Sequence, residues 1–235
     1  MHDEVPVPPW RRAPRAPANR RPPLTRERIV DAALAVLDRD GLDAVSMRRV
    51  GEELGTGAAS LYAHVEGKDE LLDLVLDRTI GTLEVPEPDP DRWQEQLKDV
   101  WRAARAMMQR HRGIARLTLG RIPVGPNALR VSEGLLAIMG AGGVPDRVRA
   151  YASDLLPLYV GAFSYEETLG LSSSIADERP PDEVIAMVGE YFASLPVDRF
   201  PNIVALVGEL TTGDPDERFE FGLDLIVRGL AAHAG

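Results

Sequence analysis

The chain is expected to fold all-α, and three observations lead there. No segment sustains the two-residue alternation of apolar and polar residues that marks a half-buried strand. Apolar residues recur instead at three- and four-residue steps, block after block, as one face of a helix requires. Glycine and proline clusters part the blocks. The strongest is Val85-Pro86-Glu87-Pro88-Asp89-Pro90-Asp91, where repeated prolines remove amide donors and disfavour helix before each ring. That run sets a domain boundary. It separates residues 24–84 from a larger unit, residues 85–235, and residues 1–23 precede both as an arm. At 235 residues the chain is long enough to bury a sizeable core.

The arm is rich in Pro, Ala and Arg and has almost no apolar pattern, so it cannot bury enough surface to fold alone. It reads as a solvated tail or as an arm that tracks DNA, with Trp10 the one residue suited to docking. Thr25 suits the cap of a first helix that runs to Asp40, where Gly41 stops it. Its stripe is Ile29, Ala33, Val36 and Leu37. Two short helices then share an apolar seam through Leu42, Met47, Val50, Leu54, Leu61 and Val65. Ser46 is a good N-cap for the first, and Gly55 suits its left-handed C-terminal position. The second, Gly57 to His64, has a slim leading end of Thr56, Gly57, Ala58, Ala59 and Ser60, followed by the polar tips of Tyr62, His64 and Lys68. Such a helix fits a major groove about 12 Å wide, which is the helix-turn-helix plan. Lys68 to Leu83 is a connecting amphipathic helix.

Beyond the prolines, helices are expected over residues 93–111, 113–119, 127–139, 146–169, 182–195, 200–210 and 214–232, with Pro157 kinking the longest. A polar loop, residues 172–181, interrupts them. The 146–169 stripe is Val148, Tyr151, Ala152, Leu155, Tyr159, Ala162 and Phe163, with Leu158 and Tyr165 off it. In the last helix Phe219, Leu223, Ile226, Val227 and Leu230 make one face and Phe221 and Leu225 a second. Gly222 and Gly229 there allow close approach. Helices apolar on more than one face are buried on more than one side, either as core or against a second subunit.

The stretch LTRERIVDAALAVLDRDGLDAVSMRRVGEELGTGAASLYAHVEGKDELLDLVLD, Leu24 to Asp77, resembles the TetR-type bacterial transcriptional regulators. Its most specific piece is SLYAHVEGKDELL, Ser60 to Leu72. DERFEFGLDLIVRGL, Asp216 to Leu230, is similar to the last helix of the tetracycline-repressor branch. The resemblance implies a homodimer paired through helices 146–169 and 214–232. It implies a palindromic double-stranded operator with half-sites about 34–36 Å apart, and a small apolar or amphipathic effector that releases it. Repression is the family's usual mode, and activation stays open. The implied DNA-contacting residues are Arg48, Thr56, Ala58, Ala59, Ser60, Tyr62, His64 and Lys68. Arg48 suits a guanine edge or a phosphate. Ala58 and Ala59 offer methyl contact to thymine, and Ser60, Tyr62 and His64 suit phosphate oxygens. Lys68 opens a helix, where free amides also favour a phosphate. Candidates for the effector pocket are Trp101, Met107, Met108, Leu117, Tyr151, Leu155, Tyr159, Phe163 and Phe192, since Met and aromatic side chains suit a small apolar ligand. The tetracycline-repressor branch holds drug-bound magnesium with a histidine beside a Leu-Gly pair. The matching position here is Thr118, which puts that ligand in doubt.

Composition bounds the rest. There is no cysteine, and His2, His64, His111 and His233 form no pair at ligand spacing, so no metal or cofactor is expected. No apolar run approaches the roughly 18 residues that span a bilayer, and the N-terminus has no signal core, so a cytoplasmic protein without membrane contact is expected. The net charge is −10, with +3 in residues 1–23, −6 in 24–84 and −7 in 85–235. DNA affinity depends on local positive charge, which Arg48, Arg49, His64 and Lys68 could supply while Asp31, Asp38 and Asp73 face away. No nucleophile elbow surrounds Ser172, Ser173 and Ser174, and the Gly140–Gly143 run follows a helix, so an enzyme is not expected. A non-catalytic protein-interaction module is the alternative.

Overall fold

The computed structural model describes residues 22–111, 113–122, 124–169 and 180–234, and every regular element among them is helical. The arm with Trp10 and the polar loop of residues 172–179 lie outside the described residues.

The head is built on caps. In α1 (Arg26–Asp40) the Thr25 hydroxyl accepts from the Arg28 amide at 3.3 Å, and Gly41 ends the helix at φ 85°. After a 3₁₀ turn, α2 (Met47–Glu53) starts where the Ser46 hydroxyl accepts from the Arg49 amide at 3.2 Å. The next helix, α3 (Ala58–Leu61), is shorter than the periodicity predicts. Its end tightens because the His64 amide bonds to the Leu61 carbonyl three residues back, which leaves Tyr62 to His64 in a turn. Then α4 (Lys68–Ile80) runs from the head into the body. Ile29, Val36, Val50, Leu61, Val65, Leu71 and Val75 pack as one core under these helices.

The proline segment that follows is held by α5 (Trp93–Arg110). Gln96, almost fully buried, donates to the Glu87 carbonyl at 2.8 Å and accepts from the Asp89 amide at 2.9 Å. This satisfies backbone groups that proline-rich chain cannot pair within itself. The body continues with α6 (Ile114–Thr118), α7 (Pro126–Ala141), α8 (Asp146–Leu169), α9 (Pro181–Ala193), α10 (Pro201–Ala205), α11 (Val207–Thr211) and α12 (Pro215–Ala231). One helix was expected over residues 200–210. Two form instead, broken at Leu206, just before the poor helix formers Val207 and Gly208.

The centre of the body is α5, packed on α7, α8 and α12. An antiparallel ladder of ion pairs joins it to α12: Lys98 to Asp224 at 3.5 Å, Arg102 to Glu220 at 2.7 Å, and Arg105 to Asp216 at 2.7 Å. Arg105 is nearly buried. It also pairs with Glu167 and lies 4.5 Å over the Phe219 ring.

The expected stripe on α8 is rotated. Ala152, Leu156, Val160, Gly161 and Ser164 are buried, while Tyr151, Leu155 and Leu158 point outward at 64%, 50% and 52% exposure. A helix apolar on two faces offers no periodic signal for which face meets its own core. On α12 the expected inner face is the buried one, and Phe221 and Leu225 lie on the exposed side. Gly222 is required there, because a Cβ would come within 2.3 Å of the Tyr159 hydroxyl. Gly229, also expected at a close approach, faces open space within this chain.

Candidate DNA-reading head and effector cavity

The tight turn between α2 and α3 has a steric cause. Gly51 sits where the chain folds back, and a Cβ there would stand 3.0 Å from the Thr56 carbonyl oxygen and 3.1 Å from the Ala58 nitrogen. The Thr56 amide closes the turn on the Gly51 carbonyl at 2.8 Å, and Gly55 takes the left-handed conformation at φ 64°. Beyond the turn, the Thr56 hydroxyl donates to the Ser60 hydroxyl at 3.2 Å.

These constraints present the eight residues named for DNA contact. Ala59, Ser60, Tyr62 and Lys68 are exposed, and Thr56, Ala58 and His64 are half-buried. Arg48 is 84% exposed and only loosely tied, to Glu52 one turn on at 3.2 Å. Among the described residues, the side chains of Tyr62, His64 and Lys68 have no hydrogen bond or ion pair. Arg49, expected on the same basic edge, is engaged instead with Asp40 at 3.1 Å. The acids expected to face away are each held by a cation: Asp31 by Arg78, Asp38 by the His111 ring at 2.9 Å, and Asp73 by Arg121.

The head meets the body at two joints. At the first, His111 and Arg116 hold Asp38 and Asp43, and Gly113 lies so close to Leu42 that a Cβ would collide with it. At the second, the Asp77 carboxylate of α4 caps α7. It accepts from the Ala128 amide at 3.0 Å and the Asn127 side-chain amide at 3.0 Å.

Between α4, α5, α7 and α8 lies a cavity of about 660 Å³, within the usual range for a small-molecule site. Its wall is mostly apolar: Leu76 and Ile80 of α4; Leu97, Trp101, Ala104, Met107 and Met108 of α5; Val131, Leu135 and Met139 of α7; Leu156 and Pro157 of α8. Thr118, Arg121, Ser132, Ser153 and Asp154 add polar groups. Pro157 has no amide to donate, so the Ser153 carbonyl lacks its usual helical partner at this wall.

Three of the nine expected pocket residues, Trp101, Met107 and Met108, line this cavity. The other six lie elsewhere. Leu117 is buried in the core of α6. Tyr151 and Leu155 point outward from α8. Tyr159 and Phe163 stack with Phe219 against α12, at centroid distances of 5.8 and 5.4 Å. The Tyr159 hydroxyl donates to the Phe219 carbonyl at 2.9 Å, and burial pushes its phenol pKa up. Phe192 pairs with Tyr191 on α9. The sequence pattern missed the contributions of α4 and α7. Thr118 lines the cavity, its hydroxyl donating to the Ala115 carbonyl at 2.7 Å. Among the described residues no group of three His, Asp or Glu side chains could hold a metal ion.

Comparison with known proteins settles what kind of molecule this is. The profile of the tetracyclin repressor-like C-terminal domain matches residues 85–234, and that of bacterial regulatory proteins of the tetR family matches residues 29–75. The chain belongs to the TetR family. The HTH-type transcriptional repressor DrrR1 of Streptomyces coeruleorubidus is 35% identical over 225 residues, covering 94% of this chain and 81% of DrrR1. The class C tetracycline repressor of Escherichia coli is 29% identical over 209 residues, covering 88% and 90%. Apo ActR of Streptomyces coelicolor superposes with a TM-score of 0.83 at 45% identity, covering 91% of this chain and 98% of ActR. ActR in complex with actinorhodin gives the same score at 46% identity, with the same coverage. This TetR-family chain is a ligand-responsive, DNA-binding transcriptional repressor and not an enzyme. The interaction-module alternative is not favoured. No helix of the described residues is long and apolar enough to cross a membrane.

Proposed function

We propose that two copies pair through α8 and α12, and that the dimer holds a palindromic operator by its two heads until an effector enters the cavity. One observation carries the reading: Leu76 and Ile80 of α4 stand in the cavity wall, and the same helix begins at Lys68 in the head. Its 13 residues span about 20 Å, so an occupant that displaces the wall end moves the DNA end. Effector binding must then favour the released state, and operator DNA must weaken effector binding by the same factor.

In this reading residues 24–84 are the DNA-binding unit and residues 85–235 the effector and dimerisation unit. Arg48, Thr56, Ala58, Ala59, Ser60, Tyr62, His64 and Lys68 meet DNA. The exposed apolar side chains of Tyr151, Leu155 and Leu158 on α8, with Phe221 and Leu225 on α12, support the pairing, since a patch of that kind is costly in water. The effector belongs to the class that ActR holds, actinorhodin and (S)-DNPA being the two named for it. Thr118 offers no imidazole, which argues against magnesium-bound tetracycline.

The test is a titration of the operator complex with actinorhodin, read by fluorescence anisotropy. The wild type should release DNA as actinorhodin rises, and Leu135→Trp, which fills the cavity from α7, should bind DNA but resist release. A Leu135→Trp response equal to that of the wild type would remove the cavity from the mechanism.

A further inference from the structure

Arg121 occupies an unusual position. It lies in the cavity wall, where it is the one cation among the described residues. Its guanidinium, however, is held by the first turns of α4. It pairs with Asp73, pairs with Asp69 at 3.2 Å, and donates to the Asp69 carbonyl at 3.3 Å. Asp69 follows Lys68 directly, and these two acids stand 93% and 60% exposed at the DNA end of α4. One flexible side chain thus joins the effector space to the phosphate-facing end of the head.

We propose that the effector is an apolar molecule bearing one acidic group, and that this group takes Arg121 from Asp69 and Asp73. This rests on the cavity being the effector site. The guanidinium fork suits a carboxylate bidentately, and a cation set in an otherwise apolar wall selects for an anion with an apolar body. Asp154 is the one carboxylate in that wall, and it is exposed. The exchange acts on DNA in two ways. It unfastens the start of α4 from the body. It also leaves two uncompensated carboxylates beside Lys68, where they repel phosphate, with an effect greatest at low salt. Arg121 therefore reads the ligand's charge and converts it into weaker DNA binding.

Two experiments on the full chain test this. In the first, operator affinity is measured without effector at two salt concentrations. Arg121→Gln should weaken binding about tenfold, more at low salt. The triple variant Arg121→Gln, Asp69→Asn, Asp73→Asn should recover it, because the repelling charges are gone. Failure of the triple variant to recover, with a wild-type melting temperature, would overturn the electrostatic link. In the second, anthracene-2-carboxylate and its uncharged carboxamide are titrated against the protein, with tryptophan fluorescence as the signal. The wild type should prefer the acid about tenfold, and Arg121→Gln should bind both alike. An equal affinity for acid and amide in the wild type, or a preference that survives in Arg121→Gln, would overturn the proposed ligand class while leaving the cavity reading in place. Binding of neither probe, together with an unchanged response of Leu135→Trp to actinorhodin, would remove the cavity reading and the Arg121 assignment with it.

Discussion

Tyr62 and Lys68 have side chains with no partner among the described residues, so their removal takes nothing from the packing of the head. Tyr62→Ala with Lys68→Ala should leave the melting temperature near that of the wild type. It should weaken operator binding to all sequences alike and flatten the dependence of log affinity on log salt by about one unit for the lost lysine contact. An unchanged affinity by anisotropy would place both residues off the DNA. At this scale the head is legible in the sequence. Ser46, Gly41 and Gly55 announce themselves because caps and left-handed turns need particular residue types. The role of Arg49 is not legible there, because its partner Asp40 belongs to the preceding helix and no local rule joins them. The cavity wall is hidden for a related reason. Val131, Leu135 and Met139 follow the same apolar period whether they face a void or another side chain.

Single helices show which interactions transmit and which only hold. The Asp77 cap fastens α4 to α7, and Gly125 is needed beside it, since a Cβ there would strike the carboxylate. Asp77→Ala uncaps α7 and should cost about 1–2 kcal/mol of stability by thermal melting. It should keep effector affinity yet reduce the fold-change in DNA affinity that the effector causes. Full retention of that fold-change would mean that the joint only holds. The ladder between α5 and α12 makes a pH prediction. The Arg102 guanidinium hydrogen-bonded to Glu220 holds that carboxyl below the usual glutamate range, against a smaller opposing effect of burial. A group whose pKa is lower folded than unfolded stabilises fully above its unfolded value, and the gain is lost as pH falls through the folded one. Melting temperature should therefore fall between neutral pH and pH values below about 4, and less steeply in Glu220→Gln. Parallel acid limbs would assign the loss to other groups. The extent of α8 follows from its apolar period, but its rotation does not, since both of its faces are apolar.

Across the whole molecule, the acidity of the head has a structural use. Asp38, Asp43, Asp69, Asp73 and Asp77 all bond to residues of the body, so much of the −6 charge of residues 24–84 belongs to joints and does not lie bare against DNA. Segment charges are countable from the sequence, but their partners lie some 48 to 73 positions away and become visible only with the fold. The division at the proline run is legible because proline acts locally. The outward faces of α8 and α12 predict that Leu155→Asp with Phe221→Asp sediments as a single chain and loses at least about tenfold in operator affinity, since two linked heads bind far better than one. A species that stays dimeric would refute the proposed interface. The central claim is a two-headed protein that reads one DNA sequence. Its most direct test is anisotropy of the purified protein on fragments tiling the DNA upstream of its own gene, at two salt concentrations. Tight, salt-sensitive binding to one palindromic fragment is the predicted result, and weak binding of equal strength on every fragment would contradict it.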